Sequence, residues 1–151
     1  MRHLLVVALS LAATASASSA EGLAIFPIKL LDTSQEVQDQ TADHERRQTI
    51  VARILAAEIE GAALVKAESV AESCSPETTE CLMGLARDAG AERALLLVFV
   101  KTSTLIVQVF ANLVDTETGE LIDSHSLNFR GDNDEAWARA SRFMAAQFRS
   151  R

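Results

Sequence analysis

The stretch Ala94-Leu95-Leu96-Leu97-Val98-Phe99-Val100 is apolar at every position. That makes it apolar on both faces, as expected of a central strand covered on each side. Lys101-Thr102-Ser103-Thr104 is polar and short enough to be a hairpin turn, and Leu105–Val114 resumes as a strand with Gln108 and Asn112 on one face. Asp115–Glu120 (DTETGE) reads as a second hairpin loop, with Gly119 available for positive φ. Leu121–Arg130 is a further strand, more polar and therefore nearer an edge. Three consecutive strands with tight connections specify an antiparallel meander.

Upstream of the meander, strands alternate with helices. Gly22–Leu31 (GLAIFPIKLL) is an apolar run read as one strand, in which Pro27 marks an edge position, a bulge or the strand's end. A polar loop covers Gln35–Asp43. Ile50, Val51, Ile54, Leu55 and Ile59 then repeat at helical spacing, opposite Arg46, Arg47, Arg53, Glu58 and Glu60, with Thr41 or Asp43 as cap and Gly61 as stop. Ala63–Glu68 is a short second strand. Ser75-Pro76-Glu77 predicts a helix start, and that helix runs to about Ala89 before Gly90. Downstream of the meander, Asp132 and Glu135 have capping-box spacing and introduce a last helix that packs Trp137, Phe143 or Met144, and Phe148. The predicted fold is α/β (α+β), in the order β-α-β-α-β-β-β-α: a mixed sheet of about five strands with helices packed on it.

Residues 1–20 carry the three parts of a secretory signal: Arg2, the apolar run Leu4–Ala13, and small residues ending at Ala17 or Ala20. Residues 21–151 then form one periplasmic domain, with no later segment apolar for long enough to insert into a membrane. Losing residues 1–20 removes Arg2 from the 14 basic residues and none of the 21 acidic ones, so the net charge goes from −7 to −8. So acidic a chain argues against nucleic acid or anionic lipid as partner, since both demand clustered Lys and Arg. Cys74 and Cys81 are an even, close pair in an exported chain and read as a disulfide. A metal site would need two further ligands, and a redox pair is normally spaced Cys-x-x-Cys.

The stretch Phe110–Glu120 (FANLVDTETGE) resembles the "ARLVDVRTGEV" hairpin of bacterial envelope domains such as the N-terminal domain of the TolB translocation protein and the curli-secretion lipoproteins. Leu23–Pro27 resembles their "VAVLPF" opening strand, and Leu85–Leu96 their "A..LGADYLL" strand entry. The chain is also similar to a family of small alphaproteobacterial periplasmic proteins. Phe26–Ser34 matches their "FPFELIDTS" and Arg130–Trp137 their "RGNTDESW", although Asp132-Asn133 and Ala136 depart from it. The resemblance implies envelope location and a role in binding and assembly.

Candidates for chemistry are few. His125 lies two residues from Asp123 on one face of a strand, the arrangement of a base with its orienter, and His44 sits in a charged helix start facing solvent. Asp132, Asp134 and Glu135 could converge on a hard cation, but helix capping accounts for Asp132 and Glu135 without a metal. There is no phosphate-binding glycine loop, and no cofactor is expected. Asp32, Arg130, Asn133 and Trp137 fall in the two stretches closest to the periplasmic family and form the candidate patch for a ligand or partner. The expected function is non-enzymatic: an accessory domain that binds a periplasmic or envelope protein. The alternatives are a small-ligand sensor or carrier with a pocket near Asp32, Arg130 and Trp137, and last a hydrolase using His125.

Overall fold

The structure, a computed structural model, describes residues 22–149. The signal sequence read at residues 1–20 lies outside the described residues. Ten elements follow in order: β1 (Leu23–Ile25), β2 (Lys29–Asp32), α1 (Thr41–Glu58), β3 (Ala62–Leu64), α2 (Ala67–Ser73), α3 (Thr79–Asp88), β4 (Arg93–Ser103), β5 (Ile106–Asp115), β6 (Leu121–Arg130) and α4 (Asp134–Phe148). They build one mixed six-stranded sheet in the order β3-β1-β4-β5-β6, with β2 also paired to β4. The mixed α+β fold, with its meander and helices on the sheet, is the one read from the sequence.

The sixth strand comes from Pro27. β1 pairs with β4 in parallel at Ile25↔Leu95, and β2 rejoins it at Lys29↔Val98. The first chain therefore spends one residue more than its partner between these pairs, a bulge placed where proline has no N–H to give. A single predicted strand becomes two short ones. The short helix α2 has no counterpart in the sequence reading, and α3 begins later than Ser75. Thr78 is its N-cap, the hydroxyl accepting from Cys81 N at 3.3 Å. Cys74 and Cys81 are joined in a disulfide, which links the end of α2 to the first turn of α3.

Alternation along the strands sorts the core into two layers. Leu95, Leu97, Phe99, Val107, Val109, Ala111 and Leu113 face α1 and α4, and pack on Val51, Leu55, Trp137, Met144 and Phe148. Ala24, Phe26, Ala94 and Val114 face the other way, onto Val70, Leu82, Met83 and Ala86 of α2 and α3. Met144, not Phe143, is the buried member of the predicted pair; Phe143 is 50% exposed. α2 and α3 are short and cover only one end of their face. Beyond them the sheet surface carrying Leu31, Val98, Val100, Phe110 and Ile106 has no helix over it among the described residues, and Phe110 is 39% exposed.

Candidate functional site

Two features stand out: a buried cluster of charges under α4, and the uncovered half of the sheet. The cluster begins with the strand alternation. Lys101 continues the inward row Leu95, Leu97, Phe99, so it is the last strand residue on the α1–α4 side and is 0% exposed. The expected turn at Lys101–Thr104 is thus a correction: β4 runs to Ser103 and the turn is Thr104-Leu105. The ammonium reaches three acceptors, Glu36 Oε2, Gln40 Oε1 at 2.7 Å and Asp132 Oδ2 at 2.8 Å, which matches its three N–H groups. Its backbone oxygen accepts from Thr33 N and Oγ1, so the β2–α1 connection is tied to the same residue.

Asp132 is the anionic centre. Oδ1 accepts from Arg47 Nη1 at 2.8 Å and from the Trp137 indole at 2.9 Å, while Oδ2 meets Lys101 and His44 Nε2 at 3.2 Å. Burial alone would push this carboxyl up, but hydrogen bonds from Lys101 and His44, the charge of Arg47 and the Trp137 N–H outweigh it and hold it below the ordinary carboxylate range. Burial opposes the charge on Lys101 in the same way, and Asp132 and Glu36 overcome it, holding its pKa above the usual lysine value. Beneath the cluster, Trp137 stacks on Phe99 with centroids 4.5 Å apart.

Several expectations are corrected by this geometry. Asp132 does not cap α4; Asn133 does, its Oδ1 accepting from Ala136 N at 2.9 Å. His44 and Arg47 do not face solvent; both are 7% exposed, extending the stripe of Val51 and Leu55 by one turn. The three carboxylates considered for a cation diverge: Asp132 points inward, Asp134 meets Arg46 and Arg47, and Glu135 lies at the surface near Arg139. Asp123 and His125 do pair, at 3.1 Å, and the His125 ring packs edge-on against Phe148 under α4.

The four residues of the predicted patch separate across the sheet. Asp32 lies 3.7 Å from Lys101 Nζ, Trp137 is 0% exposed and bonded to Asp132, and Asn133 caps the helix beside them. Arg130 pairs in register with Ile106 and belongs to the opposite, uncovered face, with Gln108, Asn112, Ser124, Ser126 and Asn128. Lys101, Glu36, Gln40 and Arg47 were not foreseen. The signal for Lys101 was its odd-numbered place after Phe99, and for Arg47 its spacing of four from Val51.

The uncovered face ends in a cleft of about 310 Å³ against α3, lined by Phe26, Val70, Leu82, Leu96, Phe110 and Asn112. An ion pair between Lys29 and Glu77, at 2.5 Å, stands at its rim.

Together these features define a small α+β domain whose charged centre is filled by its own side chains and whose sheet is open on one side. The chain belongs to the DUF3280 family, described as "Protein of unknown function (DUF2380)", whose pattern matches residues 21–148. No curated protein matches the sequence. Among solved structures, the PelC dodecamer from Paraburkholderia phytofirmans is similar, with 15% identity and a TM-score of 0.52, over 87% of this chain and 89% of that one. TolB from Acinetobacter baumannii is similar at 14% identity and a TM-score of 0.50, over 84% of this chain and 27% of that one. The LpoB C-terminal domain from Salmonella enterica shows 15% identity and a TM-score of 0.47, over 76% and 86%. The TolB-like fold expected from the hairpin is therefore present. No helix among the described residues is long and apolar enough to cross a membrane.

Proposed function

We propose that this chain is an exported, non-enzymatic accessory domain of the bacterial envelope that works by binding a protein partner through the uncovered face of its sheet. The observation that carries the reading is that face itself. Leu31, Ile106 and Phe110 are exposed there among neutral Gln108, Asn112, Ser124, Ser126 and Asn128, in a chain otherwise dense in acid. Contiguous apolar surface rimmed by polar groups is the usual mark of a docking site. The signal read at residues 1–20 supports delivery to the periplasm. PelC, of similar fold, is a dodecamer, which supports assembly over catalysis as the use of such a domain. Of the predicted patch, Arg130 belongs to the binding surface. Asn133 and Trp137 hold the turn that follows Arg130, and Asp32 lies near Lys101 on the opposite side of the sheet.

The test is a crosslinked pull-down of the tagged mature protein from its native periplasm, wild type beside Phe110→Asp. One stoichiometric partner recovered with wild type and lost with a folded Phe110→Asp is the expected result. Equal recovery with both removes the open face, and no partner with either removes the accessory reading. The cleft beside Phe110 favours a second reading, a small apolar ligand held between the sheet and α3. A thermal-shift screen separates the two, because a true ligand raises the melting point by mass action. Loss of that shift in Leu82→Asp, a substitution in the cleft lining, would put the ligand there, and an unchanged shift would remove the cleft.

A further inference from the structure

The two sides of the sheet end differently. On one side the edge consists of β3 and β2, three and four residues long, short enough to give little purchase to another strand. On the other side the edge is β6, ten residues long, and no strand among the described residues lies beyond it.

The backbone polarity of β6 can be read from two hydrogen bonds. Gly131 N donates to Leu105 O at 2.9 Å, continuing the ladder to β5, so odd-numbered residues of β6 turn their N–H and C=O toward β5. Even-numbered residues therefore turn theirs outward. Ser124 agrees, since its N–H is taken by the Asp123 carboxylate at 2.9 Å rather than by β5. That carboxylate guards one outward amide. The main-chain groups of Ser126 and Asn128 face outward with no such guard. No Lys or Pro stands between Ser124 and Phe129, and no bulge interrupts the pairing there.

We propose that β6 pairs antiparallel with β6 of a second copy, joining two six-stranded sheets into one of twelve. The register that uses the unguarded groups sets Ser126 of each copy opposite Asn128 of the other, with Leu127 facing Leu127 on the twofold axis. It also sets Arg130 opposite Ser124 and His125 opposite Phe129, so no like charges meet. This matters because the chain is strongly acidic, with a net charge of −7 over the full sequence, which repels a second copy at most other surfaces. The uncharged run Ser-His-Ser-Leu-Asn-Phe is where two such chains can approach. Leu127 and Phe129, only partly buried against the core, are covered further by the same contact. The pairing uses the outward main-chain groups of β6, and the partner reading uses the open face around Phe110. The two share Ser124, Ser126, Asn128 and Arg130, and Phe110→Asp on β5, which leaves the β6 edge intact, tells them apart. An edge-to-edge strand pair buries less than the ~1,200 Å² of a standard interface, so the dimer should be concentration-dependent.

Sedimentation velocity on the mature wild-type protein, from nanomolar to sub-millimolar concentration, should show monomer passing to dimer. Ser126→Lys/Asn128→Lys sets a lysine of each copy directly opposite a lysine of the other in this register and should leave a monomer throughout, with unchanged circular dichroism and melting point. Leu127→Cys should form an interchain disulfide on mild oxidation, and Thr104→Cys at the β4–β5 turn should not. A wild type that stays monomeric, a dimer that survives both lysines, or equal crosslinking from the two cysteine variants would each overturn the pairing. A monomer that instead captures a strand of another protein at β6 would overturn the second copy as occupant.

Discussion

Lys101 at the end of β4 and Asp132 in the β6–α4 turn meet at 2.8 Å, with side chains 0% and 6% exposed. Each has its remaining hydrogen-bonding capacity filled. The pair fixes where β4 ends, how the β2–α1 connection crosses it and how α4 enters, since Glu36, Gln40, His44, Arg47 and Trp137 all close on the same two groups. A buried ion pair of this kind is poor evidence of stability gained over an apolar pair of equal volume. Breaking it by removing one partner is costly, because the other charge is stranded.

Lys101→Met should therefore destabilise the protein by about 3–5 kcal/mol, since Asp132, only 6% exposed, loses the cation closest to it. Urea denaturation followed by circular dichroism measures it. An unchanged midpoint would mean that water enters the cluster freely and that Lys101 is dispensable there.

Much of this architecture was legible in the sequence because local rules and tertiary demand coincide. Hydrophobic alternation and the Asp115–Glu120 turn placed β5 and β6 almost to the residue, and Gly90 ends α3 at φ 79° as a glycine stop should. The charged cluster was not legible for the opposite reason. Lys101, Arg47 and His44 are residue types that solvent usually claims, and only their partners, distant in sequence, reverse that preference. Asp132 looked like a helix cap because the spacing to Glu135 fits one. Asn133, one residue later, could cap equally well and left Asp132 free to turn inward. The open sheet face was hidden too, since nothing local told that α2 and α3 would stop short of Val98 and Phe110.

The same cluster predicts how stability depends on pH. Asp132, Asp32, Asp134 and Glu36 are all held below the ordinary carboxylate range. Groups with depressed folded pKa values contribute stability that is present above their unfolded values, near 4, and is lost as pH falls through the folded ones. Lys101 is raised, so its contribution is complete below the usual lysine value and is lost only as pH rises past it. The melting temperature should therefore be flat from about pH 5 to 9 and fall on the acid side. A melting point that rises on acidification below pH ~4 would show that the carboxylates are not the stabilised ionised groups.

The disulfide lies on the other layer. Cys74 and Cys81 are seven residues apart, so the bridge closes a short loop and restricts the unfolded chain by about 2–3 kcal/mol on the chain-entropy account. Cys74→Ala/Cys81→Ala should lower stability by that amount and loosen α2 and α3, which line the cleft, before it loosens α1 and α4. Hydrogen exchange resolves the two layers. Uniform loss of protection in all four helices would contradict a local brace.

Trp137 gives the most direct view of the charged centre, because it is the chain's single tryptophan and is 0% exposed. Its emission should be blue-shifted and shielded from acrylamide in the folded protein, then move to the red with full quenching on unfolding. Trp137→Phe keeps an aromatic ring on Phe99 but removes the indole N–H from Asp132 Oδ1 and leaves a small void, at a cost of about 2 kcal/mol. The loss should be felt at Asp132 itself. One hydrogen bond fewer on its ionised form raises its folded pKa, so the acid limb of the melting curve should begin at higher pH in the variant than in wild type. A variant with the same loss of stability but an unmoved acid limb would assign Trp137 to packing alone and free Asp132 from dependence on it.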